Sequence, residues 1–186
     1  IVAASAVVMG LQTAVSRDVN PLETAVVTIG TFSAGRANNV IPDKAELTGT
    51  VRTFNPAVRK TMPEILERIV KGIASGYKAR AELRYREEVP SLLNDPAMAR
   101  IAEGAAIKVC GPGGVVRPDP SMGGEDFAVF QERVPGCFLW VGSGNPDKGI
   151  VHQWHNPRFN LDEDSLAIGA GVLAQSALDA GEALRR

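Results

Sequence analysis

The stretch Arg80-Ala81-Glu82-Leu83-Arg84-Tyr85-Arg86-Glu87-Glu88-Val89 (RAELRYREEV) decides how the first half of the chain folds. Ala81, Leu83 and Tyr85 alternate with Glu82, Arg84 and Arg86, the period of two that turns one side of a strand to a core and the other to water. Working back from it, Asn55-Pro56 offers an N-cap followed by proline at the first helical position. Met62, Leu66, Ile69, Val70 and Ile73 then form one apolar face that ends near Gly76. Pro63 lies inside that helix and should kink it or delete one backbone bond. Earlier still, KAELTGTVRTF (44–54) alternates again, with Ala45, Leu47 and Val51 inward and Arg52 on the polar face. TAVVTIGTF (24–32) is rich in β-branched residues, and residues 33–39 between the two form a loop. The opening segment has Ser5, Gln12 and Ser16 as a polar stripe at helical spacing, with Val8, Met9, Leu11 and Val15 elsewhere around the turn. It stops at Asp18-Val19-Asn20-Pro21.

Residues 1–89 therefore read α-β-β-α-β. A helix that opens such a unit normally follows a strand. Restoring one gives β-α-β-β-α-β, the split ferredoxin-like arrangement lacking its first strand. No capping residue precedes Ile1 and the apolar pattern is already under way there. The expectation is a helix cut into, in a piece of something longer.

Residues 90–95 read as a linker. Beyond them come a helix from Pro96 to about Val109, a turn at Gly111-Pro112-Gly113-Gly114, a short strand VVRP and a loop from Pro118 to Gly124. A short helix over 125–133, a buried strand GCFLWV (136–141), a long loop and an Ala- and Gly-rich helix over 163–184 complete the chain. This alternation points to part of an α/β layered domain. Two domains are expected, 1–89 and 90–186.

The 186 residues include 20 Lys plus Arg and 21 Asp plus Glu, a balance that gives no electrostatic reason for a nucleic-acid partner. No apolar run approaches the roughly 20 residues that span a bilayer. Cys110 and Cys137 form no CxxC, and no signal peptide is evident, so a reduced cytoplasmic protein is the default expectation.

Chemistry has few candidates. The loop VHQWHNPRF (151–159) holds both histidines, His152 and His155. A loop imidazole is a familiar metal ligand, yet spacing alone favours a histidine bonded to backbone or water. A catalytic zinc needs about three protein ligands and an open position, and no further ligand cluster is visible. In SMGGEDF (121–127) two glycines let backbone approach a ligand, while the plain reading makes Glu125 and Asp126 a helix start. Asn39 and Arg52 are able to grip a carboxylate, or are simply a turn residue and a solvated strand residue. No GxSxG elbow and no phosphate-loop lysine are present.

The order of the segments is more specific than any one of them. DVNPLETAVVTIGTFSAGRANNVIPDKAELTGTVRTF, then SMGGEDF, PGCFLWVGSG and HNPRFNLDEDSLAIGAGVL, resembles the C-terminal half of the zinc-dependent aminoacylase and carboxypeptidase-like metallopeptidases. The subgroup is that of hippurate hydrolase, N-acyl-amino-acid amidohydrolases and plant indoleacetyl-amino-acid hydrolases. The resemblance implies a ferredoxin-like lid and dimerisation domain (1–89), without its first strand, and a returning segment of an α/β catalytic domain (90–186). It implies His155 as a metal ligand with His152 a bystander. It further implies Asn39, Arg52, Gly124 and Glu125 as substrate-binding residues, and zinc, or manganese, cobalt or nickel, as the metal. The upstream metal ligands and the general-base glutamate of that family are not in this chain, so no catalytic residue is assigned and little or no activity is expected of it. The implied substrate is an N-acyl amino acid and the implied partner a second copy bound through the lid. The competing reading is a non-catalytic ferredoxin-like dimerisation or ligand-sensing module.

Overall fold

The computed structural model describes residues 1–185. The chain divides into two units. One is Ile1–Ser91 with Ser121–Glu125; the other is Leu92–Pro120 with the residues from Asp126 onward.

In the first unit the elements are α1 (Val2–Ser16), β1 (Ala25–Ala34), β2 (Ala45–Thr53) and α2 (Pro56–Gly76). Asn55 caps α2 as its sequence promises: its side chain accepts from the Ala57 amide at 2.8 Å, and Pro56 occupies the first turn. Pro63 is accommodated inside the helix. Ile1 is the N-cap residue of α1 and makes no side-chain cap hydrogen bond. β1 and β2 form an antiparallel hairpin in which Ala34 faces Ala45 and Val26 faces Arg52, with a bulge at Gly30. Gly49 has to be glycine, because a Cβ there would lie 2.2 Å from the Thr28 carbonyl.

The two helices pack on each other and on the hairpin. Val7, Leu11 and Ala14 of α1 meet Leu66, Ile69 and Val70 of α2, with Val27, Ile29, Leu47 and Val51 of the hairpin against them. Met62 is fully buried. Met9, by contrast, is 71% exposed and stands off this core. Ala81, Leu83 and Tyr85 pack against the same cluster, so the alternation expected of 80–89 is real. The strand itself is not formed. Among the described residues no backbone-to-backbone hydrogen bond involves residues 80–91, because no neighbouring strand lies beside them.

The second unit holds α3 (Pro96–Cys110), α4 (Phe127–Gln131) and α5 (Asp164–Ala183), with single 3₁₀ turns at Pro112–Gly114 and Pro146–Lys148. Asp95 caps α3 by accepting from Ala97 and Met98 at 2.9 and 3.0 Å. α3 and α5 pack closely, tied at their surface by Lys108 and Asp179 at 2.7 Å. Neither VVRP nor GCFLWV forms the expected strand. Residues 136–138 are half-buried, and Leu139, Trp140 and Val141 are 42, 51 and 47% exposed, so the stretch is not the buried strand expected. In place of a strand partner, the Asn94 side chain pairs with Phe138, accepting its amide at 2.8 Å and donating to its carbonyl at 3.0 Å. Cys110 and Cys137 are free thiols, and burial pushes the Cys137 thiol pKa up. Among the described residues no helix is long and apolar enough to cross a membrane.

Candidate functional site

In the first unit one hydrogen bond links a sequence candidate, Arg52, to the stretch that carries two others, Gly124 and Glu125. Arg52, near the end of β2, donates from Nη1 to the Met122 carbonyl at 2.5 Å. That bond docks the Ser121–Glu125 stretch on the hairpin. The stretch is shaped by an ST turn in which the Gly123 amide donates to Ser121 Oγ at 3.1 Å. Gly124 lies against Val89: a Cβ on it would come within 3.3 Å of Val89 Cγ2. Glu125 is half-buried and Arg52 exposed. A guanidinium has five N–H donors, so Arg52 can hold this carbonyl and still present donors to a carboxylate.

Asn39 is elsewhere. It lies in the exposed hairpin loop between Ala34 and Ala45, and Arg52 is at the opposite end of the hairpin. From Ala45 to Arg52 the strand covers roughly 23 Å at the usual rise per residue. One small substrate cannot touch both within a single hairpin. Asn39 makes no side-chain hydrogen bond among the described residues.

In the second unit His155 stands at an exposed turn with φ +66. A left-handed backbone is strained for a residue with a Cβ and needs surroundings that impose it. They are present. The Asn156 amide donates to Gln153 O at 3.2 Å and the Phe159 amide to Asn156 O at 2.9 Å, while Asn156 Oδ1 accepts from Arg158 N at 2.9 Å. Next to the histidine, Trp154 meets Trp140 edge to face with centroids 5.4 Å apart. His152 is half-buried.

The loop's base is a polar clamp that spacing did not reveal. Asp162 accepts from Asn145 Nδ2 at 2.6 Å and from Lys148 Nζ at 2.7 Å, and Lys148 also reaches Asp164 at 2.8 Å. The Asp162 amide donates to Ser143 O at 2.8 Å. The Lys148 and Asn145 hydrogen bonds hold the Asp162 pKa below the usual carboxylate value, and the two aspartates raise that of Lys148. Asn145-Pro146 at the start of a turn was the one visible hint; the acid that completes the clamp is 17 residues further on. Asp126, expected to help cap α4, sits at its N-cap without a side-chain hydrogen bond.

Among the described residues no group of three or more His, Cys, Asp or Glu is placed to hold a metal ion. His155 is a single exposed imidazole donor, and the residues present do not make up a metal centre by themselves. A groove in the second unit, lined by residues 93–96 and 131–136, contains none of the candidates.

A mixed α/β chain with these motifs in this order matches one class of protein. Residues 6–179 fit the sequence pattern of peptidase family M20/M25/M40. The chain is 41% identical over 178 residues to an N-acetylcysteine deacetylase of Bacillus subtilis, an alignment covering 96% of this chain and 45% of that protein. It is 34% identical to an IAA-amino acid hydrolase of Arabidopsis thaliana, with 95% and 41% covered. A crystal structure from Bacillus subtilis, described as a dinuclear metal binding peptidase from the M20 family, superposes with a TM-score of 0.73 at 39% identity. It covers 95% of this chain and 44% of that one. The chain belongs to the M20/M25/M40 peptidase family, whose relatives here are hydrolases. It spans less than half the length of the relatives it matches.

Proposed function

We propose that the chain is part of a metal-dependent amidohydrolase that cleaves the amide bond of N-acyl amino acids of the hippurate type. The observation that supports this reading is the Arg52–Met122 bond, which docks on Arg52 the stretch that includes Gly124 and Glu125. In this reading Arg52 presents its remaining donors to the substrate carboxylate. The glycines at 123 and 124 let backbone approach the substrate closely. Asn39, at the far end of the hairpin, contacts substrate only from a second copy or after a rearrangement.

Residues 1–89 act as a ferredoxin-like lid, and the outer edge of β1, unpaired among the described residues, is the natural face for a second lid in a homodimer. His155 contributes one imidazole to a divalent metal, zinc or one of manganese, cobalt and nickel. No reaction step is assigned to this chain's own residues, because the donor set and general base are incomplete. The 186-residue chain alone is therefore expected to be inactive or nearly so. That incompleteness is also what favours the second reading, a non-catalytic dimerisation or sensing module, for the chain in isolation.

Arg52→Ala in the full-length protein tests the reading. The Michaelis constant should rise tenfold or more, about 1.4 kcal/mol at least, for substrates with a free carboxylate. Equal effects on a carboxamide analogue would remove Arg52 from the substrate site.

A further inference from the structure

We propose that Asn145, Lys148 and Asp162 are positioning residues for His155: together they close residues 151–161 into a pinned loop and impose the left-handed backbone from which that imidazole is presented. That His155 has a role to be positioned for rests on the reading above.

Both ends of the segment are tied to one residue. Asn145 exchanges backbone hydrogen bonds with Ile150, each amide donating to the other's carbonyl at 2.9 Å. Its side-chain Nδ2 donates to Asp162 Oδ2 at 2.6 Å. The chain thus leaves the Asn145 backbone at Ile150 and returns to the Asn145 side chain at Asp162. Lys148, in the turn between Asn145 and Ile150, donates to Asp162 Oδ1 at 2.7 Å. The Asp162 backbone is held as well. Its amide donates to Ser143 O at 2.8 Å, and its carbonyl accepts from Ser165 Oγ at 2.6 Å and from the Ser165 amide at 3.0 Å. A further point is fixed beside the histidine, where Trp154 meets Trp140. Closing a loop at its ends removes conformations from everything between them.

The strain inside this loop falls on His155, at φ +66. Such a backbone costs a residue with a Cβ, and it persists only where the surroundings over-determine it. No hydrogen bond or ion pair among the described residues holds the His155 imidazole itself. Its direction is therefore set by its backbone, and the backbone by the anchors on either side. The Asn156 turn beside it acts locally and is the competing cause. The carboxylate at 162 suits its task chemically. One oxygen accepts from Asn145 and the other from Lys148, so an amide there would set a donor against one of these two donors.

The test is a mutant cycle on the 186-residue chain, unfolded with denaturant and followed by tryptophan emission, because both tryptophans, Trp140 and Trp154, lie in the second unit. With Asp162 in place, the unfolding equilibrium should favour the folded state about fivefold more in His155→Gly than in His155→Ala, since glycine accepts the left-handed backbone without strain. In an Asp162→Asn background that ratio should fall to one or below, because a relaxed loop favours alanine. A clamp that merely stabilised the unit would lower both variants equally and leave the ratio intact. Lys148→Gln supplies the same background should Asp162→Asn fail to fold, and Lys148→Arg should keep the ratio. An unchanged ratio in either background overturns the proposal and assigns the conformation to the Asn156 turn. So does a ratio of one with Asp162 in place. Turnover of full-length Asp162→Asn is read separately: a collapsed ratio with undiminished turnover keeps the clamp and removes His155 from the reaction.

Discussion

The two units bury different amounts of carbon, and the contrast separates what this chain can stabilise for itself from what it cannot. The first unit packs Val7, Leu11, Met62, Leu66, Ile69 and Val70 below 9% exposure, a core of medium and large side chains. The second buries Ala102, Ala105 and Ala128, with Val172 and Ser165, and leaves Trp140, Leu166, Leu173 and Leu178 more than half exposed. Burial stabilises in proportion to apolar area. The first unit therefore has a core that is sensitive to truncation, and the second has close helix contact through small residues with its large side chains turned outward.

The largest expected effect tests that contrast directly. Leu66→Ala should cost about 2–5 kcal/mol in the first unit, through lost transfer energy and a cavity. Leu173→Ala, at 73% exposure, should stay within about 0.5 kcal/mol. Chemical denaturation of the two variants checks both. Comparable losses would mean that the second unit's outward leucines are covered in solution.

Caps come next. Asp95→Ala removes an acceptor from two amides at the start of α3 and should cost about 1 kcal/mol. Asn55→Ala removes one such bond and also the donor to Glu23 Oε1 at 3.0 Å, for a loss of similar size, about 1 kcal/mol. Far-UV melts that place the Asp95 loss in the α3–α5 transition and the Asn55 loss elsewhere would show the units unfolding separately.

The smallest effect is on the His155 loop and depends on pH. A carboxylate with a folded pKa below its unfolded value, about 3.9, stabilises above that value, and the contribution disappears as pH falls through the folded pKa. Asp162 is such a group. The clamp should hold at neutral pH and loosen below about pH 4. Trp154, stacked edge-on with Trp140, is the reporter: its emission should change over that acid range and lose the transition in Asp162→Asn. An unchanged acid transition in that variant would assign it to another group.

Two of the helices, α2 and α3, carry their own start signals. Asn55-Pro56 and Asp95-Pro96 mark the starts, and a period near 3.6 marks the faces. The two strands of the hairpin were legible from a β-branched-rich run at 24–32 and an alternating run at 44–54. What was not legible is whatever depends on a partner distant in sequence. RAELRYREEV and GCFLWV have strand patterns, but a ladder needs a neighbour, and a pattern does not supply one. Arg52 and Met122 are 70 residues apart, and no period links them. The separation of Asn39 from Arg52 went unread for a related reason: they stand 13 residues apart, and only the hairpin register shows Arg52 at the end away from the loop that holds Asn39. The Asn145–Lys148–Asp162 clamp under the histidine loop went unread because its members follow no helical or strand period.

The most direct measurement of the central claim is the metal content of the full-length protein by elemental analysis, with His155→Ala and His152→Ala compared against the parent. The account requires His155→Ala to lose bound metal and turnover together while His152→Ala keeps most of both. Full metal content in His155→Ala, or equal loss in the two variants, would contradict it.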